Sequence, residues 1–263
     1  MVKLLTIGRT FYGIAILGLG LATIYYGDFP YMLIPEHHSW IPGLTIVSYV
    51  FGVLIIFCGA CIIVEKQTRT ISLLLAIFLL LIFCLYFIPY QLMVSSRAMH
   101  LGAWENAEKE LALSGGAFVI AGRYRNEHDS TFIRFLAKLI PLGTILFGVT
   151  ILSFGIDHFL YAKEAARYVP SGIPNHLFWI YFAGIALIGS GISILLRIRV
   201  RLIATLLGTM IFIWFIILHI PYVVAASFSD KVGEVTSALL ALAYSGTSFV
   251  IAGRSLSRSR SNA

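Results

Sequence analysis

Four residues in the second half of the chain have side chains that could do chemistry together, namely Asp157, His158, His176 and His219. Imidazoles from separate helices could ligate a metal or a haem, or hydrogen-bond the carbonyl of a quinone. Pro221 closely follows His219 and frees a backbone carbonyl in the preceding turn, which predicts a kink beside the imidazole. The spacing of the four residues matches no metal motif. Hydrogen-bonded packing for His219, and an interfacial position for His158 and His176, are the alternative interpretations.

The composition predicts that membrane-spanning helices position these residues. The chain has 59% hydrophobic and 12% charged residues with a mean hydropathy of +0.91, whereas soluble domains carry about 25% charge. Eight apolar runs are long enough to cross a bilayer as helices, near residues 7–27, 44–64, 70–94, 106–122, 138–160, 176–196, 202–226 and 234–253. The runs are continuously apolar rather than alternating, which favours helices over a barrel. We therefore predict an all-α integral membrane protein with eight transmembrane helices.

The sequence also contains an internal repeat. Ser114–Arg123 recurs as Ser245–Arg254 with eight of ten positions identical, at an offset of 131 residues. Ile88-Pro89-Tyr90 returns as Ile220-Pro221-Tyr222 at an offset of 132. We therefore predict two units of four spans each, and the even number of spans predicts that the units are parallel in the membrane. The predicted units are residues 1–127 and 128–255, with a disordered tail at 256–263.

Charged residues are distributed unequally between the two predicted sides of the membrane. Fourteen of the nineteen Lys and Arg residues fall on the side that holds both termini, and the positive-inside bias makes that side cytoplasmic. This asymmetry accounts for the net charge of +7, so nucleic acid is not an expected partner. Nine of twelve acidic residues lie on the other side, with six of seven histidines on or near it: His37, His38, His100, His158, His176 and His219. A functional site is therefore expected to open outward.

Two small-residue motifs have both a chemical and a structural interpretation. Cys58 and Cys61 form a C-x-x-C pair, but their counterparts at an offset of 132 are Ser190 and Ser193. The replacement of both thiols by serine favours small-residue helix packing over a dithiol redox centre. The repeated Ser-Gly-x-x-Phe-x-x-Ala-Gly motif is likewise expected to allow close approach of neighbouring helices.

The clearest family motif lies in the second unit. It comprises Phe154-Gly155-Ile156-Asp157-His158-Phe159, Pro170 and the stretch from His176 to Gly184. Together with the repeated Ile-Pro and Ser-Gly motifs, this pattern resembles the DoxX-like family of small four-helix bacterial membrane proteins, here as a tandem duplication. The resemblance implies the bacterial inner (cytoplasmic) membrane and association with membrane oxidoreductase complexes. The first unit has Tyr26-Gly27-Asp28-Phe29 at the corresponding place, so a site built on Asp157 and His158 is expected to be single.

The resemblance and the outward histidines favour an integral membrane subunit of a redox or respiratory assembly that interacts with quinone or a redox partner at its outer face. In this hypothesis His219 lines a cavity, and Asp157, His158 and His176 ligate a cofactor or move protons. Quinone or haem is the candidate cofactor, and the expected partners are the lipid bilayer and other membrane or redox subunits. The alternative is a non-catalytic membrane scaffold or lipid-binding protein.

The same residues bear on two further functional classes, enzymes and ion-coupled transporters. No nucleophile and base can be assigned, which leaves open whether the chain is an enzyme. Ion-coupled transport is disfavoured because His219 is the only ionisable residue expected near the middle of a span.

Overall fold

The computed structural model describes residues 2–27, 29–30, 43–93, 95, 101–124, 129–227 and 230–254, which are largely helical and contain no strand. The α-helices are α1 (Val2–Tyr26), α2 (Leu44–Ile63), α3 (Thr68–Ile82), α4 (Ile88–Met93), α5 (Glu105–Ala121), α6 (Thr131–Leu136), α7 (Leu142–Leu160), α8 (Ala162–Ala165), α9 (His176–Leu196), α10 (Val200–Trp214), α11 (Ile220–Ala225) and α12 (Lys231–Arg254). The predicted tail at 256–263 lies outside the described residues.

Seven helical segments in these ranges are long and apolar enough to cross a membrane: Lys3–Tyr26, Leu44–Ile63, Thr68–Met93, Thr131–Leu160, His176–Leu196, Val200–Ala225 and Lys231–Gly253. The predicted all-α fold is thus confirmed, and the long apolar segments indicate a multi-pass membrane protein. The fourth predicted span, 106–122, is not among these seven; it corresponds to α5, which has only 17 residues and carries charged residues in its first two turns. At 1.5 Å per residue α5 is about 26 Å long, slightly less than a typical hydrocarbon core.

Two of the spanning segments contain a π-helical turn. α3 continues into α4 through Phe83–Phe87, and α10 continues into α11 through Phe215–His219. Each turn directly precedes an Ile-Pro pair, so Pro89 and Pro221 each leave a carbonyl of the preceding turn without its usual N–H donor. The irregularity expected beside His219 therefore takes the form of a π-helical turn, and the first half has the same turn at the corresponding place.

The first long helix of each half packs against the last long helix of the other half. α1 contacts α2 and α12, while α7 contacts α9 and α5. α3 packs on α5, α10 packs on α12, and α5 and α12 meet at the centre. Every residue from Ala112 to Ala121 and from Leu240 to Ala252 is buried. Because of this order, one continuous hydrophobic core contains residues from both halves of the chain.

Glycines allow these helices to approach each other closely. A Cβ built on Gly246 of α12 would lie 2.5 Å from the carbonyl oxygen of Gly8 in α1, and one built on Gly8 would lie 2.5 Å from that of Gly246. Between α5 and α7, a Cβ on Gly115 would lie 2.9 Å from the carbonyl oxygen of Gly143. Since no side chain fits at these distances, the close-approach interpretation of the repeated Ser-Gly motif is confirmed.

The serine of each repeated motif bonds to a neighbouring helix. Ser114 Oγ donates to the carbonyl oxygen of Ala76 at 2.7 Å, and Ser245 Oγ donates to that of Gly208 at 2.8 Å. Both serines are fully buried. These two bonds fix α3 against α5 and α10 against α12.

Replacing Ser114 or Ser245 by alanine is expected to lower the free energy of unfolding by about 1 kcal/mol, because one buried interhelical hydrogen bond is lost. Thermal unfolding of the detergent-purified protein measures the change. Thr205→Ala is the matched control, since the Thr205 hydroxyl bonds to a carbonyl of its own helix. Serine variants that unfold at the same temperature as this control would contradict the assignment.

Candidate functional site

The four residues predicted from the sequence do not all lie together. Asp157 and His158 are near the end of α7, His176 begins α9, and His219 ends the π-helical turn before α11. Nδ1 of His158 bonds within its own helix, 2.7 Å from a carbonyl oxygen one turn earlier. Asp157 and His219, in contrast, both interact electrostatically with Lys109 of α5. The structure therefore brings these two residues towards a common neighbour.

Asp157 and His219 both have buried polar atoms without a hydrogen-bond partner among the described residues. Both carboxylate oxygens of Asp157 and Nδ1 of His219 are buried, and none of them bonds to another described residue. Such an atom costs roughly 1–3 kcal/mol when left unpaired, so native proteins keep few of them. These atoms are available to a ligand, a water molecule or a proton.

The first two turns of α5 supply the charges around this pair. Glu105 and Lys109 form an ion pair with 2.6 Å between Oε1 and Nζ. Glu108 accepts a hydrogen bond from Ser153 Oγ of α7 at 2.6 Å, while its other carboxylate oxygen is buried without a partner. Glu108 also interacts electrostatically with Asp157. α5 and α7 thus each contribute a carboxyl group to the same part of the bundle.

Glu110 is buried more completely than these carboxyls. Its side chain is 0% exposed, and neither carboxylate oxygen has a partner among the described residues. It interacts electrostatically with Tyr12 of α1 and Tyr244 of α12. The hydroxyls of both tyrosines already donate to backbone carbonyls of α5, that of Tyr12 to Leu113 at 2.6 Å and that of Tyr244 to Lys109 at 3.0 Å. Glu110 therefore lies unpaired where α1, α5 and α12 meet.

The carboxyls of α5 are not among the site residues predicted from the sequence. Glu110 is fully buried although it lies in the second turn of this helix. That His219 alone lies near the middle of a span concerns depth in the membrane and stays a prediction. A signal was present in the repeat, since Glu108 and Glu110 correspond to Leu239 and Ala241 at an offset of 131. The charges are specific to the first half, in a segment otherwise typical of close helix packing.

We call this group the acidic-end cluster, which comprises Glu105, Glu108, Lys109, Glu110, Asp157 and His219. Its carboxyls and imidazole can accept and release protons and can hydrogen-bond a polar ligand. Within the described ranges, no group of three or more His, Cys, Asp and Glu residues is arranged to hold a metal ion. Four of the seven histidines, His37, His38, His100 and His128, lie outside the described residues.

The C-x-x-C pair belongs to another part of the bundle. Cys58 and Cys61 are free cysteines in the second half of α2, each partly buried. Their counterparts Ser190 and Ser193 are buried in α9, and the Ser193 hydroxyl donates to the carbonyl of Ile198. Small side chains at matching positions of two buried helix faces are what the packing interpretation predicts.

No family model, curated protein or solved structure matches the chain. The resemblance to the DoxX-like family therefore stays a prediction.

Proposed function

We propose that the chain is a multi-pass subunit of a redox or respiratory assembly in the bacterial inner membrane, exchanging protons with quinone or a redox partner at its outer face. One observation carries this proposal, namely that the carboxylate oxygens of Asp157 and Nδ1 of His219 are buried without a hydrogen-bond partner among the described residues and that both residues interact electrostatically with Lys109 of α5. Reduction of a quinone takes up protons together with electrons, so proton-donating groups must lie near it. Ionisable residues are costly inside a membrane bundle, which is why such a cluster points to a function.

Five of the six members of the acidic-end cluster have a role in this proposal. Nδ1 of His219 would hydrogen-bond a quinone carbonyl, and Asp157 would hold the proton that is exchanged. Glu108, fixed by Ser153, would relay that proton along α5. Lys109, paired with Glu105, would balance the negative charge. The quinone, when bound, supplies the redox chemistry. Roles for His158 and His176 stay predictions.

The topology belongs to the same proposal, with both termini in the cytoplasm and the two halves as parallel repeats. The turn after α2 has positive φ at Glu65 (62°) and Gln67 (48°), and the turn after α9 has it at Arg197 (61°) and Arg199 (42°). These positions correspond at an offset of 132. Left-handed backbone is uncommon outside glycine, so the same turn at matched positions supports a duplicated unit. In this topology the acidic-end cluster lies towards the outer face.

The test is to extract the protein in mild detergent and measure bound quinone and the visible absorption spectrum. His219→Phe is the informative variant, because Phe87 occupies the corresponding position of the first half. We expect quinone in stoichiometric amount in the wild type and its loss in His219→Phe. His158→Gln should keep it, since His158 bonds to its own helix. A wild-type preparation without quinone or a haem band would overturn the proposal.

A lipid-binding protein is the second candidate. It is favoured by a polar cavity that lies at the opposite end of the bundle, between α1, α5 and α12. A wild-type protein without cofactor that still binds lipid there would support this second function.

A further inference from the structure

A cavity of about 350 Å³ opens at the end of the bundle that holds the start of α1 and the ends of α5 and α12. Its polar wall contains Arg9, Glu65, Arg123 and Tyr124, and its apolar wall includes Leu5 and Val250. Leu5 and Val250 are buried parts of the hydrophobic core. The cavity therefore joins a charged surface to the apolar interior of the bundle.

Arg9 places a fixed positive charge in this wall. It is only 7% exposed, and its Nη1 donates to the carbonyl oxygens of Ile62 and Ile63 at the end of α2. Its Nη2 lies 3.7 Å from a carboxylate oxygen of Glu65. Because these partners hold the guanidinium in place, its position does not depend on a ligand.

Glu65 is bound on its other side by Tyr124, whose hydroxyl donates to Oε1 at 2.7 Å. Burial, together with this hydrogen bond, raises the pKa of the Tyr124 hydroxyl above its ordinary value, so it remains a donor at neutral pH. Among the described residues, Glu65 supplies the only carboxylate of the cavity wall, and this carboxylate is shared between Arg9 and Tyr124. It does not pair with Arg123.

Arg123 is the second cation of the cavity. Its side chain is exposed and has no hydrogen-bond or ion-pair partner among the described residues. Arg123 also interacts electrostatically with the Tyr124 hydroxyl, which places its charge near the polar wall. A guanidinium offers a planar fork of donors that matches the oxygens of a phosphate group.

Arg9 and Glu65 have no equivalents in the second half of the chain, whereas Arg123 has one in Arg254. Leu139 stands at the position of Arg9 and Arg197 at that of Glu65, at offsets of 130 and 132. Packing of the repeated unit therefore does not require either charge. Arg9 and Glu65 therefore need a separate explanation.

We propose that this cavity binds a phosphate group, with Arg123 as its main ligand and Arg9 as the fixed charge behind it. The buried Leu5 and Val250 beside the charges favour a phosphate carried by a membrane lipid over one free in solution. Basic pockets between membrane helices on the cytoplasmic side are a common form of lipid headgroup site. This site is independent of the acidic-end cluster, so either can fail without the other.

The experiment measures thermal unfolding of the full-length protein in detergent during titration with short-chain phosphatidylglycerol, or with inorganic phosphate against chloride of equal ionic strength. We expect the lipid to raise the unfolding temperature and Arg123→Ala to weaken its apparent affinity at least about tenfold. Arg123→Ala should fold normally, because the side chain is exposed. Arg134→Ala, an exposed arginine of α6 at the same end, is the matched control.

The titrations separate the two sources of phosphate. Stabilisation by inorganic phosphate that is lost in Arg123→Ala would assign the cavity to a soluble phosphate and support the shared chemistry. Stabilisation by the lipid alone would assign it to a headgroup. The proposal is overturned if neither ligand stabilises the wild type, or if Arg134→Ala weakens binding as much as Arg123→Ala.

Discussion

A valine at Gly246 is expected to lower the free energy of unfolding by about 3 kcal/mol or more, the largest loss that we predict for a single substitution. Its Cβ would lie 2.5 Å from the carbonyl oxygen of Gly8 and 2.8 Å from the backbone nitrogen of Tyr12. Both neighbours are backbone atoms of α1, so no side chain can rotate away. α1 would have to move off α12, and the hydrogen bond from Tyr12 to α5 would be strained with it.

Gly189→Val is the control for this prediction. Gly189 lies on the exposed face of α9, and a Cβ built on it meets nothing within 4 Å. Its replacement should leave the free energy of unfolding within about 0.5 kcal/mol of the wild type. Thermal unfolding and size-exclusion chromatography in detergent report both variants. Equal behaviour of the two would show that the contact between α1 and α12 is looser than the structure places it.

Hydropathy predicts the helices of this chain well, because an apolar run long enough to span lipid has few other stable forms. The second and sixth predicted spans, 44–64 and 176–196, agree with α2 and α9 to within one residue. The first prediction starts at residue 7, whereas α1 begins at Val2. Hydropathy predicts the apolar part of a helix, but it does not predict polar turns that extend the helix beyond that part.

The order in which the helices pack could not be predicted from the sequence. Two units of four spans suggest two separate bundles, yet α1 packs on α12 and α5 packs on α7. Every span is apolar on most of its surface, so hydrophobicity does not distinguish one neighbour from another. Small residues do make that distinction, because Gly8 with Gly246 and Gly115 with Gly143 allow contacts that larger residues exclude.

The sequence indicates which residue types belong to the candidate site, but it does not predict how their side chains are arranged in space. Asp157 and His158 are adjacent in sequence, but successive residues of a helix point about 100° apart. His158 consequently bonds to its own helix, while Asp157 interacts with α5. The carboxyls of Glu108 and Glu110 are hard to identify from the sequence, because they belong to a segment whose small residues are typical of close helix packing. Whether these carboxyls are buried depends on which helices pack against α5, and the sequence does not show that.

The residues that differ between the two halves are therefore the most informative to mutate, and Glu110 comes first among them. Replacing it by leucine is expected to raise the free energy of unfolding by about 1–3 kcal/mol, because an unpaired buried carboxyl is exchanged for an apolar side chain of similar size. Glu110→Gln keeps a polar group without partners and should leave stability nearly unchanged. Thermal unfolding in detergent distinguishes the two variants.

The same variants test whether Glu110 holds a proton. A carboxyl with no partner is costly to keep ionised inside the bundle, so infrared spectroscopy should detect a protonated carboxyl band that shifts in heavy water and is absent from Glu110→Gln and Glu110→Leu. Glu105→Gln, at the exposed start of α5, is the control and should keep the band. If Glu110→Leu destabilised the protein, Glu110 would be a packing element with partners of its own. If Glu110→Leu is instead more stable and also lacks the protonated carboxyl band, Glu110 is not needed for folding. Its carboxyl would then be retained for the function of the protein.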